Sequence, residues 1–520
     1  MSVSRPPFYV TTPIYYVNDK PHIGHAYTTL ACDVLARFKR LDGFDVRFLT
    51  GTDEHGQKIE AAARAADMEP QAFTDRVSES FRSLLGIMNY TPDDFIRTTE
   101  PRHKTACQDL WNRLVERGDI YLGSYAGWYS TPDEAFVTET ELVTGPDGVK
   151  RAPSGAVVEW VEEPSYFFRL SRWQEPLLEF YRTHPDFIAP ESRRNEIIRF
   201  VEGGLTDLSV SRTTFSWGVP VPGDERHVMY VWMDALTNYI TALGYPEQDG
   251  DYARYWPADI HMVGKDIVRF HAVYWPAFLL AADLEPPKRV FAHGWWTNEG
   301  EKISKRLGNI IDPVDLVNTY GLDAVRYFLM REVPFGNDGD FSHRAMVGRV
   351  NSELANDLGN LAQRSLSMIA KNCGGQVPQP LEFTPDDEVM LGAAQAMLSA
   401  VRAALDRQAF GEALETIWVV VRQANAYIDR QAPWVLRKTD TGRMGTVLYV
   451  LAETVRRIAI LMQPFTPNAA ARLLDQLACK DDARAFGALE PSVRLVPGTE
   501  LPAPAGVFPR YVDPESAETK

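Results

Sequence analysis

Apolar residues form two kinds of pattern in the N-terminal part of this 520-residue chain. Short continuous apolar runs predict buried strands, and runs with a 3.6-residue period predict helices. Residues 8–66 predict strand, loop, helix, strand, loop, helix, with the first helix from His25 to about Leu41. The second strand is predicted over residues 46–49, followed by a loop over 50–56. This order is typical of the opening of a doubly wound parallel sheet.

The pattern changes between residues 119 and 225, where short runs carry many Gly, Pro and aromatic residues. Such runs are typical of a β-rich insertion. Alternation of strands and helices then resumes, with strands predicted over residues 259–263 and 290–296 and a helix over 266–281. The insertion therefore splits the sheet-forming part of the chain into two halves.

After Pro334 the apolar period is that of helices, with Gly and Pro between the periodic segments. The segments with this period are residues 346–372, 384–408, 411–430 and 444–463. They predict an α-helical bundle. Residues from 496 onward, rich in Pro and polar groups, predict a tail.

The expected fold class is α/β: a Rossmann-like doubly wound parallel sheet, split by a β-rich connective insertion and followed by an all-α helical bundle. The predicted divisions are the first half of the sheet domain at 1–118, the insertion at 119–225, the second half at 226–310, a linking segment at 311–345, the bundle at 346–495 and the tail at 496–520.

Composition narrows the class of protein. A net charge of −16, from 54 basic and 70 acidic residues, argues against a non-specific nucleic-acid binder, although local basic clusters remain compatible with such a partner. The four cysteines are too far apart in sequence for a metal knuckle or a disulfide framework. No stretch approaches the ~18 uncharged apolar residues of a membrane span. We therefore expect a cytoplasmic protein without a membrane partner.

Two short segments carry the residues of a nucleotide site. The first, Pro21-His22-Ile23-Gly24-His25, stands where a loop enters a helix, and the second is Lys302-Ile303-Ser304-Lys305-Arg306. A helix N-terminus favours phosphate, and a glycine lets the backbone approach a nucleotide closely. Imidazoles and lysines can then stabilise the charge that develops during phosphoryl chemistry. The alternative is a pair of capping histidines and a solvated lysine turn.

These two segments resemble the HIGH and KMSKS signatures of class I aminoacyl-tRNA synthetases, and nearly the whole chain is similar to the methionyl-tRNA synthetase family. The resemblance implies catalysis by His22, His25, Lys302 and Lys305. It implies ATP binding by His22, Gly24, His25, Asp266 and Lys305, and the chemistry implies that ATP comes with Mg²⁺. The second signature departs from its family form and reads KISKR, with Ile303 and Arg306 as the differences. Because Lys305 is kept, we expect activity to survive.

Three further segments, around residues 12–18, 230–239 and 264–271, are similar to the family's amino-acid site. By that resemblance a methionine pocket is formed by Ile14, Tyr16, Trp232, Ala235, Leu236, Tyr239, Ile267 and His271. Aromatic groups hold a polarizable thioether well. Asp53 would bind the substrate ammonium and Asp266 the ribose. For any single aromatic residue the alternative is ordinary core packing.

Many members of the family carry Cys-x-x-Cys pairs in the insertion that form a zinc knuckle. Here Ser130 and Asp133 stand in the corresponding places, and residues 108–183 contain neither Cys nor His. Structural zinc prefers thiolate and imidazole ligands. We therefore expect no metal site and no zinc.

The predicted bundle contains Asn360, Arg364 and Trp434, which resemble the family's anticodon-reading positions. Unstacked bases are read by aromatic stacking and by hydrogen bonds to their edges. Arg364 as an ordinary surface charge is the alternative.

The expected function is that of a methionine–tRNA ligase with methionine, ATP and tRNA(Met) as partners, acting as a monomer. One alternative is another class I synthetase of the cysteine or branched-chain type. The others are a catalytically silent tRNA-binding protein and a small-metabolite nucleotidylyltransferase. The long helical bundle has no use in the last of these, and intact His22, His25, Lys305 and Asp53 argue against a silent protein.

Overall fold

The computed structural model describes residues 5–133, 135–303 and 308–513. The chain divides into two compact units. The sheet unit comprises Pro7–Pro21 and Val46–His293. The bundle unit comprises His22–Asp45 and the chain from Gly294 onward, together with the residues that precede Pro7.

In the described residues the strands are β1 Pro7–Thr11, β2 Tyr15–Tyr16, β3 Asp45–Asp53, β4 Asp94–Arg97, β5 Ile120–Ser130, β6 Ala135–Val137, β7 Val143–Thr144, β8 Lys150–Arg151, β9 Glu159–Phe168, β10 Ile188–Ala189, β11 Leu208–Ser209, β12 Ser211–Arg212, β13 Pro220–Val221, β14 Asp224–Met229, β15 Ile260–Gly264, β16 Val290–His293, β17 Trp296–Asn298, β18 Glu301–Lys302 and β19 Gly339–Phe341.

The α-helices over the same ranges are α1 Ile23–Leu41, α2 Gln57–Ala65, α3 Pro70–Ile87, α4 Pro101–Glu116, α5 Gln174–Thr183, α6 Glu191–Glu202, α7 Val231–Thr241, α8 Gly250–Tyr255, α9 Trp275–Ala281, α10 Pro313–Tyr320, α11 Leu322–Arg331, α12 His343–Arg349, α13 Asn360–Asn372, α14 Pro385–Leu405, α15 Phe410–Gln431, α16 Pro433–Thr439, α17 Thr441–Met462 and α18 Pro467–Gln476. Short 3₁₀ turns occur at Leu170–Trp173, Lys265–Ile267, Asp481–Ala483 and Phe486–Leu489, and π-helical segments at Phe270–Tyr274 and Val350–Gly359.

A seven-stranded sheet forms the centre of the sheet unit, in the order β10-β16-β15-β1-β3-β2 with β4 also paired to β3. The pairs β1–β15, β15–β16, β2–β3 and β3–β4 run parallel. Apolar side chains of β1 and β16 are buried, as expected for a sheet covered on both faces. The predicted doubly wound parallel sheet is therefore present.

Strand β3 is longer than the sequence predicts and continues through Thr50 and Gly51 to Asp53. These residues are polar or small, so the sequence indicates a loop. They stay in the sheet because both neighbouring strands pair with them, β2 at Thr52 and Asp53 and β4 from Leu49 onward. A Cβ on Gly51 would lie 2.0 Å from the Ile96 carbonyl oxygen, so this close pairing requires glycine.

The predicted insertion contains an antiparallel sheet in the order β11-β9-β5-β6. Its longest ladder joins β5 and β9, from Ile120 opposite Phe168 to Tyr129 opposite Glu159. Two helices, α5 and α6, follow β9 within the same stretch of sequence. The sequence indicated the strands and missed both helices.

A single strand was predicted over residues 290–296, and the structure divides it into β16 and β17. Gly294 stands at the break, where a Cβ would lie 2.3 Å from the Asn337 carbonyl oxygen. Residues 311–345, predicted to be a linking segment, contain α10, α11 and β19.

The predicted bundle is built mainly from α13, α14, α15 and α17. By length and composition α14 could cross a membrane. In the structure it packs against α15 and α17 with one face, which buries Met390, Ala394, Met397 and Val401.

A buried ion cluster stabilises the bundle. Glu453 accepts from Arg456 at 2.7 and 2.8 Å and from Arg457 at 2.7 Å, and all three side chains are at most 4% exposed. The guanidinium groups also donate to the carbonyls of Ala488 and Leu489. The cluster thereby ties helix α17 to the segment that follows the last helix.

The chain beyond residue 496 is attached to the bundle as far as it is described. Gly498 and Thr499 exchange backbone hydrogen bonds with Val377, and Arg472 donates to the Val507 carbonyl. Tyr511 N–H donates to Asn351 Oδ1. The sequence predicted a tail because Pro-rich composition gives no sign of pairing with residues so distant in the chain.

Candidate functional site

Helix α1 begins at Ile23, two residues before the predicted start, because His22 and His25 cap it. His22 Nδ1 accepts from the Gly24 N–H, and His25 Nδ1 accepts from the His22 N–H, both at 3.1 Å. The two rings lie 3.9 Å apart between centroids. The capping that was weighed above as an alternative is therefore present, and the nucleotide role of the two histidines stays a prediction.

The caps determine which ring nitrogens carry protons. A nitrogen that accepts from a backbone N–H has no proton of its own, so each neutral ring is protonated at Nε2. Desolvation, together with the neighbouring His22 ring, holds the pKa of His25 well below its usual value. An Nε2–H at a helix N-terminus is a group from which a phosphate oxygen can accept a hydrogen bond.

Gly24 allows His22 to hold this position. A Cβ on Gly24 would lie 2.9 Å from His22 Cε1 and 3.1 Å from its Nδ1, so any side chain displaces the ring.

If the resemblance to class I synthetases holds, Gly24→Ala should lower the turnover number for the implied adenylate formation by about 10- to 100-fold, because one transition-state donor contributes on the order of 10²–10³ in rate and the ring would be only displaced. The methionine KM should stay near the wild-type value. Pyrophosphate exchange measures both constants. Gly86→Ala, in an open position on α3, is the matched control. An unchanged turnover number in Gly24→Ala would contradict the role of His22.

The predicted lysine turn is described only in part. Lys302 is exposed on β18, in a hairpin where Asn298 pairs with Glu301. Glu299 and Gly300 form the two-residue turn, both with positive φ, as expected for a tight hairpin. Lys305 and Arg306 lie outside the described residues.

The residues predicted for methionine binding fall into two groups in the sheet unit. Half-buried side chains pack with one face against the core, and this group comprises Ile14, Tyr16, Trp232 and Ile267. The others are buried: Ala235, Leu236, Tyr239 and His271. Half-buried apolar groups over a buried layer can form the wall of a small-molecule site.

Trp232 and His271 are brought together by α7 and the π-helical turn Phe270–Tyr274. The Trp232 ring lies edge-on to His271 at 6.3 Å and stacks on Phe270 at 3.6 Å. Phe270 was missed, although it stands next to His271 and three residues after Ile267, where one helical turn would place it beside them. π-Helical turns are frequent at functional sites.

His271 is held as a neutral imidazole. Its Nδ1 donates to the Ile267 carbonyl at 2.9 Å, so its Nε2 accepts from the Tyr239 hydroxyl at 2.7 Å. Burial lowers the pKa of His271 to about 4. The ring that lies edge-on to Trp232 is consequently uncharged at neutral pH.

Asp53 and Asp266 lie at the ends of two strands of the same sheet. Asp53 ends β3, is 4% exposed, and pairs in register with Tyr16. Asp266 is exposed in the turn after β15. A Cβ on Gly264 would lie 2.5 Å from Asp266 Oδ1, so glycine gives that carboxylate its room. Both lie at the carboxyl ends of strands, where open α/β sheets bind ligands.

The place predicted to lack a zinc knuckle holds a hydrogen-bonded loop. Asp133 Oδ2 accepts from the hydroxyls of Ser130 and Ser154, each at 2.6 Å. Ser130 Oγ in turn accepts from the Asp133 N–H. The Asp133 carboxylate and the two serine hydroxyls therefore connect the segment around residue 130 with the segment around residue 154.

Of the three residues predicted to read bases, Arg364 and Trp434 are in contact in the structure. Asn360 and Arg364 are exposed on α13, one turn apart. The Arg364 guanidinium lies 5.2 Å from the centre of the Trp434 ring, and its Nη2 donates to Asp429. Trp434 is 38% exposed at the start of α16, so it is a surface residue rather than part of the core.

Comparison with known proteins identifies the family. The model for class I tRNA synthetases (M) matches residues 8–366. This chain belongs to that family. A second model, the anticodon binding domain of methionyl tRNA ligase, matches residues 377–520.

Individual relatives of this class I synthetase resemble it over almost their whole length. The methionine–tRNA ligase of Mesorhizobium japonicum is 59% identical, with 99% of this chain and 100% of that protein covered. The methionine–tRNA ligase of Mycobacterium bovis is 55% identical, with the same coverage. A solved structure of Mycobacterium tuberculosis methionyl-tRNA synthetase in complex with methionyl-adenylate has a TM-score of 0.95 and 54% identity, covering 97% of this chain and 100% of that one. The predicted fold class is confirmed.

Proposed function

We propose that the protein is a methionine–tRNA ligase. It joins methionine to ATP as methionyl-adenylate, releases pyrophosphate, and transfers the methionyl group to the terminal ribose of tRNA(Met). The observation that carries the proposal is the aromatic wall of the sheet unit, where half-buried Trp232 stacks on Phe270 and lies edge-on to neutral His271. The names of the full-length relatives support it, and another class I synthetase is not favoured.

Methionine recognition follows from that wall. A thioether is apolar and polarizable, so aromatic faces and edges such as those of Trp232 and Tyr16 suit it. A protonated His271 would attract water and disfavour the apolar side chain, and its lowered pKa prevents this. The substrate ammonium requires a buried anion, for which Asp53 is our candidate.

The first step needs charge neutralisation rather than a general base, because a carboxylate is already the nucleophile. Its oxygen attacks the α-phosphorus of ATP as the bond to pyrophosphate breaks. His22 and His25 would donate from Nε2 to the phosphate oxygens, and Lys302 and Lys305 would neutralise the leaving pyrophosphate. By the same resemblance Gly24, in the bundle unit, and Asp266, in the sheet unit, are our further candidates for ATP binding. Mg²⁺ would enter with ATP, since it binds mainly through the substrate phosphates.

We further propose that activity requires no zinc. The hydrogen bonds of Asp133 with Ser130 and Ser154 connect the loop in which related proteins place thiolates. We propose that the enzyme is a monomer and acts in the cytoplasm.

The bundle face around Trp434 is our candidate for the anticodon site. A half-exposed indole beside a guanidinium can stack on an unstacked base, and each such stack contributes about 1–3 kcal/mol. Asn360 and Arg364 share a helix face that could present hydrogen-bonding groups to neighbouring bases.

We expect Trp434→Ala to lower kcat/KM for tRNA aminoacylation by about 5- to 150-fold, the equivalent of one lost stack. Pyrophosphate exchange, which needs no tRNA, should change less than twofold. Val435→Ala, which truncates the adjacent exposed residue, is the control. Equal losses in both reactions, in a protein with wild-type circular dichroism, would contradict the anticodon assignment.

Amino-acid-dependent exchange between pyrophosphate and ATP, measured for all twenty amino acids, tests the proposed function. Methionine should support the fastest exchange by at least two orders of magnitude. A preference for cysteine or a branched-chain amino acid would establish one of the alternative synthetases instead, and no exchange at all would indicate a silent tRNA-binding protein.

A further inference from the structure

A buried cluster of titratable groups joins three segments of the sheet unit. Asp234, on α7, lies between His55, which follows β3, and His103 on α4. Asp234 Oδ2 is 2.6 Å from His55 Nδ1, and Oδ1 is 2.7 Å from His103 Nε2. The exposed fraction of all three residues is 2% or less. None of them was singled out in the sequence or given a role in the proposed reaction.

The geometry fixes the protons of this cluster. Burial alone would raise the pKa of Asp234, but the two imidazoles hold it below its usual range, so the group is a carboxylate. A carboxylate only accepts hydrogen bonds, and both imidazoles must therefore donate, His55 from Nδ1 and His103 from Nε2. The two distances are those of strong, charge-assisted hydrogen bonds.

The same side chains resemble a metal site, since His103, Cys107 and Asp234 place their donor atoms within 4.8 Å of one another. The spacing favours hydrogen bonds instead. Ligands of one tetrahedral zinc ion stand about 3.3 Å apart, whereas the carboxylate-to-imidazole distances here leave room only for a proton. Burial also raises the pKa of Cys107, which keeps its thiol protonated.

The loop after Asp53 is fastened on two sides. On one side Glu54 accepts from Arg97 at 2.7 and 2.9 Å and from Thr99 at 2.6 Å, which ties the loop to β4 and the residues after it. On the other side His55 reaches Asp234. Among the described residues His55 Nε2 has no hydrogen-bond partner, so Asp234 is the polar anchor of that ring.

We propose that Asp234 is a positioning residue that fixes Asp53 and the α7 residues Trp232 and Ala235 in one arrangement. Asp234 lies between Trp232 and Ala235 in sequence, and its bond to His55 fastens their helix two residues from Asp53. Misplacement of a binding group by about 1 Å can cost on the order of 10² in rate. The inference rests on the proposed function and assigns Asp234 no contact with substrate.

Asp234→Asn tests the proposal. The amide keeps the size of the side chain but removes the charge and turns an N–H toward one imidazole. That imidazole can keep the contact only by moving its proton to its other ring nitrogen, which replaces a charge-assisted hydrogen bond by a weaker neutral one. In pyrophosphate exchange the methionine KM should rise at least tenfold, while the ATP KM stays within twofold. Asp109→Asn, on α4 and hydrogen-bonded to Tyr245, removes a charge from another network and is the control.

Two His55 variants distinguish a positioning role from general destabilisation of the protein. They also test the proposal if the Asp234→Asn protein does not fold. Asn places an amide N–H close to the position of His Nδ1, whereas Leu removes the donor. His55→Asn should keep the methionine KM within threefold of wild type, and His55→Leu should raise it at least tenfold. Equal values for the two variants would overturn the proposal.

The outcomes distinguish this inference from the proposed function. If the wild-type protein shows no methionine-dependent exchange, the proposed function fails and the inference with it. If the wild-type protein is active but Asp234→Asn keeps its methionine KM, only the inference fails. It also fails alone if the KM values for ATP and methionine rise together.

Discussion

Asp53→Asn should nearly abolish methionine activation. Asp53 is 4% exposed, so a substrate ammonium bound there loses most of its water and depends on the carboxylate for charge neutralisation. Removing one partner of a buried, hydrogen-bonded charge pair costs about 2–5 kcal/mol, which corresponds to roughly 30- to 5,000-fold in kcat/KM for methionine. Pyrophosphate exchange at varied methionine concentration measures the loss.

Asp45→Asn is the control for this prediction, because it removes a carboxylate from the opposite end of the same strand, β3. Its kcat/KM should stay within threefold of wild type. A value for Asp53→Asn within fivefold of wild type would mean that another group binds the ammonium.

Glu453→Gln should produce the largest loss of stability. The substitution leaves the guanidinium groups of Arg456 and Arg457 buried without their counter-ion. Breaking a buried ion pair in this way costs about 3–5 kcal/mol in the free energy of unfolding. The midpoint of urea unfolding, followed by the helical circular dichroism signal, should fall clearly.

Glu412→Gln provides the comparison, since Glu412 also pairs with an arginine, Arg407, but is more than half exposed. Exposed pairs contribute about 0–1 kcal/mol, so its midpoint should barely move. Equal midpoints for Glu453→Gln and wild type would show that the buried cluster does not stabilise the bundle.

Local periodicity explains why the order of strands and helices could be predicted from the sequence. The helix over residues 25–41 and the bundle helices α14, α15 and α17 repeat apolar residues over many turns, and each was found within a few residues of its bounds. The segment predicted over residues 346–372 is instead divided into α12, a π-helical segment and α13. The sequence did not predict the ends of helices and strands that depend on a particular side-chain cap or on a pairing with a distant strand. Helix α1 begins earlier because a histidine caps it, and β3 runs on to Asp53 because strands on both sides bury its polar end.

Contacts between residues far apart in the chain could not be predicted from local sequence patterns. His55 and Asp234 are separated by 179 residues, and His103 and Asp234 by 131. No spacing along the chain indicates such a pairing, whereas Ile14, Tyr16 and Trp232 could be assigned by resemblance to the segments of a known family. The backbone hydrogen bond between Val377 and Thr499 could not be predicted either, because the two residues are also far apart in the sequence.

The loop formed by Ser130, Asp133 and Ser154 has a consequence for how the protein tolerates chemical stress. Thiolate knuckles lose their metal to strong chelators, and their sulfurs are oxidised by peroxide. A hydroxyl–carboxylate loop has neither weakness, because serine is inert to both reagents. Under metal starvation or an oxidative burst, this part of a translation enzyme would keep its shape without repair or resupply.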